Sequence, residues 1–148
     1  MAQIWADGSF ERGKLYDTCG IGILIRRLNP YPQEDRKVCE HKFSLGMEGV
    51  TDNNLAEFYA IEYALFKLSQ LKLHPKDKKL SIMTDSQTAI NFINGTYKNI
   101  PDKYVEIVDR IQFQLRKWDY KIYWIKGHAK DKRQNLCDLL AKSGRPIR

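Results

Sequence analysis

The stretch Ile4-Trp5-Ala6-Asp7-Gly8-Ser9-Phe10 predicts a buried strand that ends in a carboxylate. Three consecutive apolar residues are typical of a central strand that is covered on both faces. Asp7 follows them at once, and a carboxylate is costly to bury unless a cation compensates for its charge. Gly8 would let the backbone turn there and approach a ligand closely. The alternative at this point is an ordinary Asp-Gly turn after a strand.

The pattern downstream of this strand predicts an α/β protein with one mixed sheet and helices packed on it. Two more strands, at 16–27 and 36–45, follow after short links, which favours an antiparallel meander with the first. The glycines of the second strand suggest the close approach of another backbone. The remaining predicted elements are a buried helix at 55–71, a strand at 80–85, helices at 86–93 and 101–118, a strand at 121–126 and a helix at 135–143.

Length and composition predict a single domain over residues 1–148, since no linker or repeat interrupts the chain. No apolar run reaches the roughly 18–20 residues that span a bilayer, and the N-terminus lacks the pattern of a signal peptide. The three cysteines form no CxxC pair and are odd in number, which favours reduced thiols. We therefore expect a cytoplasmic protein without membrane contact.

The positive charge is concentrated at the C-terminal end. Residues 116–148 contain 10 Lys or Arg and 3 Asp, whereas residues 1–115 contain 15 charged residues of each sign, so the last segment carries the whole net charge of +7. Such an uneven distribution favours a polyanionic partner, and the alternative is charge that serves only solubility.

Four acids lie in apolar surroundings. Asp7 and Asp85 each end a predicted buried strand, Glu57 shares the buried stripe of the first helix, and Asp138 precedes three apolar residues in the last helix. Each has an ordinary alternative as a cap or surface acid, but the four together favour convergence. Converging carboxylates must take up protons or recruit a cation.

Hard oxygen ligands favour Mg²⁺ or Mn²⁺ over zinc. The three histidines lie far apart and lack the spacing of a zinc site. Two hard cations roughly 3.5–4 Å apart are suited to phosphodiester hydrolysis. Together with the basic segment, the acids therefore predict a metal-dependent nuclease.

Five motifs span nearly the whole chain. They are, in chain order, Ala6-Asp7-Gly8-Ser9, Thr51-Asp52-Asn53-Asn54-Leu55-Ala56-Glu57, Thr84-Asp85-Ser86-Gln87, Trp124-Ile125-Lys126-Gly127-His128-Ala129 and Cys137-Asp138-Leu139-Leu140-Ala141. In this order they resemble the motifs of type 1 ribonuclease H, the ribonuclease HI-like family. The resemblance implies a five-stranded mixed sheet whose first three strands are antiparallel, flanked by helices, and cleavage of the RNA strand of RNA–DNA hybrids.

The resemblance also implies catalytic roles and a cofactor of two Mg²⁺ ions, with Mn²⁺ as a possible substitute. Asp7 would bridge the two ions, Asp138 would hold one, and Glu57 and Asp85 would help to hold the other. His128, on a loop, would assist proton transfer or product release, as suits an imidazole that titrates near neutral pH.

The implied substrate contacts lie in the minor groove of the hybrid, where amide side chains can recognise 2′-hydroxyls. Backbone groups after the first strand would lie along the RNA. These contacts are Gly8, Ser9, Asn53, Asn54, Gln87 and Gln134.

The chain departs from the family pattern in four places. Asp52 stands where many relatives carry a threonine that grips a DNA phosphate, so we expect it to repel one. Gln134 stands where asparagine is usual. The segment 94–101 lacks a basic handle, and no separate hybrid-binding domain precedes Met1. We expect the basic end to supply the grip instead, through Lys117, Lys121, Lys130, Lys132 and Arg133.

Three other functions remain as alternatives. A proofreading-type exonuclease would carry Asp-x-Glu on its first strand, which this chain lacks. A non-catalytic hybrid-binding module would gain nothing from carboxylates that face phosphates. A domain of a reverse transcriptase is disfavoured because Met1 stands only two residues before the predicted first strand. We therefore expect a free-standing, monomeric enzyme.

Overall fold

A computed structural model describes residues 1–13, 17–28, 38–71, 73, 78–126 and 131–145. The described residues form strands and helices in the predicted order. They are β1 (Ala2–Glu11), β2 (Thr18–Leu28), β3 (Val38–Met47), α1 (Asn53–Ser69), β4 (Lys79–Thr84), α2 (Gln87–Ile93), α3 (Asp102–Leu115), β5 (Asp119–Trp124) and α4 (Lys132–Gly144).

The strands form one mixed sheet in the order β3-β2-β1-β4-β5. β1 and β3 each pair with β2 in antiparallel fashion, whereas β4 pairs with β1 and β5 in parallel. This arrangement confirms the predicted mixed sheet with an antiparallel meander at its start. It also places β1 at the centre, which explains its apolar residues on both faces.

Helices cover the two faces of the sheet unequally. One face packs on α1 and α3 through a large apolar cluster that includes Ile4, Phe58 and Ile111. The other face packs on α4, where the buried cluster consists of Trp5, Leu24, Met83 and Cys137.

The glycines of β2 allow α4 to lie directly on the strand. A Cβ at Gly20 would overlap the carbonyl of Ala141, and one at Gly22 would overlap the carbonyl of Cys137. The predicted approach of another backbone to these glycines is therefore confirmed, and the helix fixes its distance from the sheet by backbone contact.

Several predicted boundaries were wrong. β1 does not end at Asp7 in a turn at Gly8: it continues to Glu11, and Gly8 pairs with Ile21 of β2. α3 ends at Leu115 instead of residue 118. α4 begins at Lys132 instead of residue 135, because Asp131 caps it by accepting a hydrogen bond from the Gln134 amide at 2.8 Å. β5 begins at Asp119 and ends at Trp124, because its parallel partner β4 ends at Thr84. In the described part of the chain, no helix is long and apolar enough to cross a membrane.

Candidate active site

Three of the four predicted acids converge at one edge of the sheet. Asp7 lies in the middle of β1, two residues after the parallel pairing of β1 with β4 ends at Trp5, and Asp85 directly follows β4. Glu57 reaches the same point from the first part of α1. One carboxylate oxygen from each of the three lies within 4.8 Å of the others.

Gly8 brings α1 close enough to β1 for this convergence. A Cβ on Gly8 would overlap the carbonyl of Ala56 and lie 2.7 Å from the amide nitrogen of Glu57. The sequence predicted that a ligand would approach the backbone closely at this glycine, and in the structure the backbone of α1 does so. This close approach is the reason why Glu57 stands beside Asp7.

Asp138 approaches the cluster from the opposite face of the sheet. It lies on α4, lines the same cleft as the other acids and remains partly exposed. Its Oδ2 is 3.0 Å from Nζ of Lys142, one helical turn later. Asp138 thus borders the cluster, and its charge and hydrogen bonding contribute to the raised pKa of Asp7.

Burial and mutual repulsion make the cluster electrostatically unstable when all its members are ionised. Burial, and then repulsion from Asp85, raises the pKa of Asp7 to about 8. Burial, and then repulsion from Asp7 and Asp85, raises the pKa of Glu57 well above its usual range. The cluster must therefore hold protons or a cation.

The donor set fits a divalent cation. Oε2 of Glu57 is buried and has no hydrogen-bond partner among the described residues, and an orphaned carboxylate oxygen of this kind is costly without a ligand. Carboxylate oxygens are the ligands that Mg²⁺ and Mn²⁺ prefer. The residues present thus suit such an ion.

A polar cleft of about 250 Å³ opens over the acids. Of the predicted substrate contacts, Gly8, Ser9, Asn53 and Gln134 line it. The sequence did not assign a role to three further lining residues, Phe10, Asn135 and Lys142. Lys142 could have been found, because it lies four residues after Asp138 on the same helix.

The other predicted contacts lie elsewhere. The Asn54 amide donates to the hydroxyl of Tyr104 at 3.3 Å, so it contacts α3 and does not line the cleft. Gln87 is exposed at the start of α2 and does not line the cleft. His128 lies outside the described residues.

Gln134 is a buried wall of the cleft. Only 3% of its surface is exposed, and its Nε2 donates to the carbonyl of Ala6 at 3.2 Å. This hydrogen bond joins α4 to β1 one residue before Asp7. Its Oε1 is buried and accepts no hydrogen bond from the described residues.

Asp52 is neutralised by its neighbours, which removes the basis for expecting it to repel a phosphate. Its carboxylate caps α1 through the Leu55 amide at 2.8 Å and lies 2.8 Å from Nζ of Lys103. Burial alone would raise the pKa of Asp52, but hydrogen bonds from Lys103, Leu55 and Tyr104 outweigh it and lower that pKa.

A family model described as RNase H matches residues 2–145. Ribonuclease H of Saccharomyces cerevisiae is 30% identical over 95% of this chain and 44% of that protein, so the chain spans less than half of this relative. RNase H1 from Halobacterium salinarum has a similar structure, with a TM-score of 0.73, 17% identity and coverage of 97% of this chain and 96% of that one. LC11-RNase H1 in complex with an RNA/DNA hybrid gives a TM-score of 0.72 and 22% identity, over 97% of this chain and 95% of that one.

Proposed function

Because the chain belongs to the RNase H family, we propose that it is an endoribonuclease that hydrolyses the RNA strand of RNA–DNA hybrids with two bound divalent cations. One observation carries the proposal. Oxygens of Asp7, Glu57 and Asp85 lie within 4.8 Å of one another at an open cleft. Such a cluster is suited to metal-assisted attack on a phosphodiester.

Asp7, Glu57 and Asp85 would hold the cations from one side of the cleft and Asp138 from the other. Mg²⁺ is the proposed ion, with Mn²⁺ as a substitute, because the donors are hard oxygens. When bound, such cations polarise the phosphate and activate water. Lys142, 3.0 Å from Asp138, holds that carboxylate in place at the rim.

The proposed substrate is an RNA–DNA hybrid, which is what the similar LC11-RNase H1 structure contains. Asn53 at the wall of the cleft offers an amide donor and acceptor, which suits a 2′-hydroxyl. Gly8 and Ser9 would lie along the RNA strand, and the exposed Gln87 would reach it from α2. His128 would assist proton transfer or product release.

We further propose that the chain acts as a monomer in the cytoplasm, without membrane contact. Cys19, Cys39 and Cys137 are not joined in disulfides, which suits a reducing compartment. Light scattering at micromolar concentration tests whether the chain is monomeric, and a mass of twice 17.4 kDa would show a dimer instead.

The test of the activity is a gel assay in which each strand of a hybrid is labelled in turn. With Mg²⁺, the labelled RNA is expected to be cut and the labelled DNA to stay intact, whereas excess chelator stops cleavage. Single-stranded RNA and duplex DNA are the matched substrates that should remain largely intact. Equal cleavage of duplex DNA, or full activity in chelator, would contradict the proposal.

The same assay separates the proposed enzyme from a non-catalytic binding module. Asp85→Asn removes a charge from the cluster, and Asp109→Asn removes one from an exposed position on α3. Loss of cleavage only in the first variant supports catalysis by the cluster. A chain that binds the hybrid but never cuts it would be a binding module.

A further inference from the structure

The end of β5 presents an exposed aromatic ring that is attached to the acid cluster. Trp124 is the last residue of β5, and 48% of its surface is exposed. Its Nε1 donates to the backbone carbonyl of Asp85 at 3.2 Å. The apolar core does not require this ring, yet a hydrogen bond holds it beside a residue of the proposed active site.

A second aromatic residue and two cations lie near this ring along the chain. Tyr123 is 42% exposed, and Nζ of Lys121 lies 5.1 Å from the centre of its ring. Because side chains alternate along a strand, Lys121 and Tyr123 point to the opposite face of β5 from Trp124 and do not share a surface with it. Lys126, two residues after Trp124, is exposed. We call Trp124 and Lys126 the β5 platform.

Aromatic rings flanked by cations are the usual means of binding single-stranded nucleic acid, since bases stack on the rings and phosphates contact the cations. Within a duplex, both faces of a base are already stacked on neighbouring bases. Inside a duplex an exposed ring therefore gains no stacking, whereas an unpaired nucleotide offers a free base face. The charge of the platform suits this occupant, because the whole net charge of +7 lies in residues 116–148.

We propose that the β5 platform binds unpaired nucleotides that flank a hybrid in the cleft, with Trp124 stacking on a base and Lys126 contacting a phosphate. The hydrogen bond from Trp124 to the backbone carbonyl of Asp85 places the ring next to a residue that lines the cleft. The inference rests on the proposed function, because it concerns a strand that extends from the same substrate.

The test measures the affinity for two hybrids that differ only in a single-stranded extension. Binding is followed by fluorescence anisotropy in Ca²⁺, with Asp85→Asn as the parent chain so that the substrate stays intact. The extension is expected to tighten binding by the parent about fivefold or more, as one stacked base would. In Trp124→Ala, the gain should fall below about twofold while blunt hybrid binds as before.

Two controls separate stacking from general effects. Phe113→Ala also removes an exposed aromatic ring beside a cation, since the Arg116 guanidinium lies 5.4 Å from the centre of that ring. Phe113 is on α3 and does not line the cleft. This variant should keep the whole gain. An extension of abasic nucleotides keeps the phosphates but not the bases, so the Trp124-dependent gain should disappear.

Tryptophan fluorescence gives a readout that does not depend on the folding of a variant. The extended hybrid should quench the emission of the parent, whereas the blunt and abasic hybrids should not, and Trp124→Phe should lose the quenching. The proposal is overturned if the extension gives the parent neither tighter binding nor quenching, if Trp124→Ala keeps the gain, or if Phe113→Ala loses as much. Failure to bind the blunt hybrid would instead refute the proposed function.

Discussion

Removal of the Asp7 charge is expected to stabilise the metal-free fold and to reduce its dependence on pH. Burial, and then repulsion from Asp85, raises the pKa of Asp7 from 3.8 to about 8. Between these values the folded chain holds a proton that the unfolded chain has released, so the free energy of unfolding falls as pH rises. One proton gives a slope of about 1.4 kcal/mol per pH unit, or about 2.7 kcal/mol between pH 5 and pH 7. Asp7→Asn removes this contribution.

The assay is urea unfolding at pH 5, 6 and 7 in excess chelator, with Asp7→Asn compared with the unmodified chain. His41 acts in the opposite direction, since burial and then Arg27 lower its pKa and the unfolded chain binds the proton more tightly. His41 is present in both chains, so its contribution cancels in the difference. Excess Mg²⁺ should restore much of the stability of the unmodified chain. An advantage of Asp7→Asn that does not grow from pH 5 to pH 7 would refute the reasoning.

Three further predictions concern catalysis and substrate binding. Asp85→Asn should abolish cleavage while the circular dichroism spectrum and hybrid binding stay nearly unchanged; cleavage within a factor of about ten of the unmodified chain, about 1.4 kcal/mol in activation free energy, would contradict this. Gly8→Ala should also abolish cleavage, because the added Cβ would displace α1 and separate Glu57 from Asp7. Calorimetric titration with Mg²⁺ should show that this variant binds the ion more weakly, and an unchanged Mg²⁺ affinity would contradict the prediction. Changing Lys117, Lys121 and Lys132 together to Ala should reduce the log–log salt slope of hybrid binding by close to one unit for each phosphate that these lysines neutralise, and an unchanged slope would show that they do not touch the hybrid.

The element order and the positions of the acids could be predicted because they depend on local patterns. The end of a buried strand marks Asp85, an apolar run marks Asp7 although β1 continues past it to Glu11, and the buried stripe of α1 marks Glu57. The structure brings the three together through the parallel pairing of β1 and β4. The β2 glycines likewise indicated the approach of a backbone, although only the structure shows that it belongs to α4.

Contacts between distant parts of the chain could not be predicted in this way. Lys103 neutralises Asp52 across 51 positions, and Gln134 donates to Ala6 across 128. Both depend on how helices settle against the sheet, which no local pattern records. The sequence therefore indicated that Asp52 would repel a DNA phosphate, whereas the structure shows Asp52 in an ion pair with Lys103.

The unequal packing of the two sheet faces gives the acids different resistance to local opening. Glu57 lies on α1, whose buried apolar residues belong to the large cluster, whereas Asp138 lies on α4, which packs on a second cluster of four buried residues. Amide hydrogens of α4 should therefore exchange at a lower free energy than those of α1 and β1. In such an opening, Asp138 would leave the cleft with α4 while Glu57 stays in place on α1.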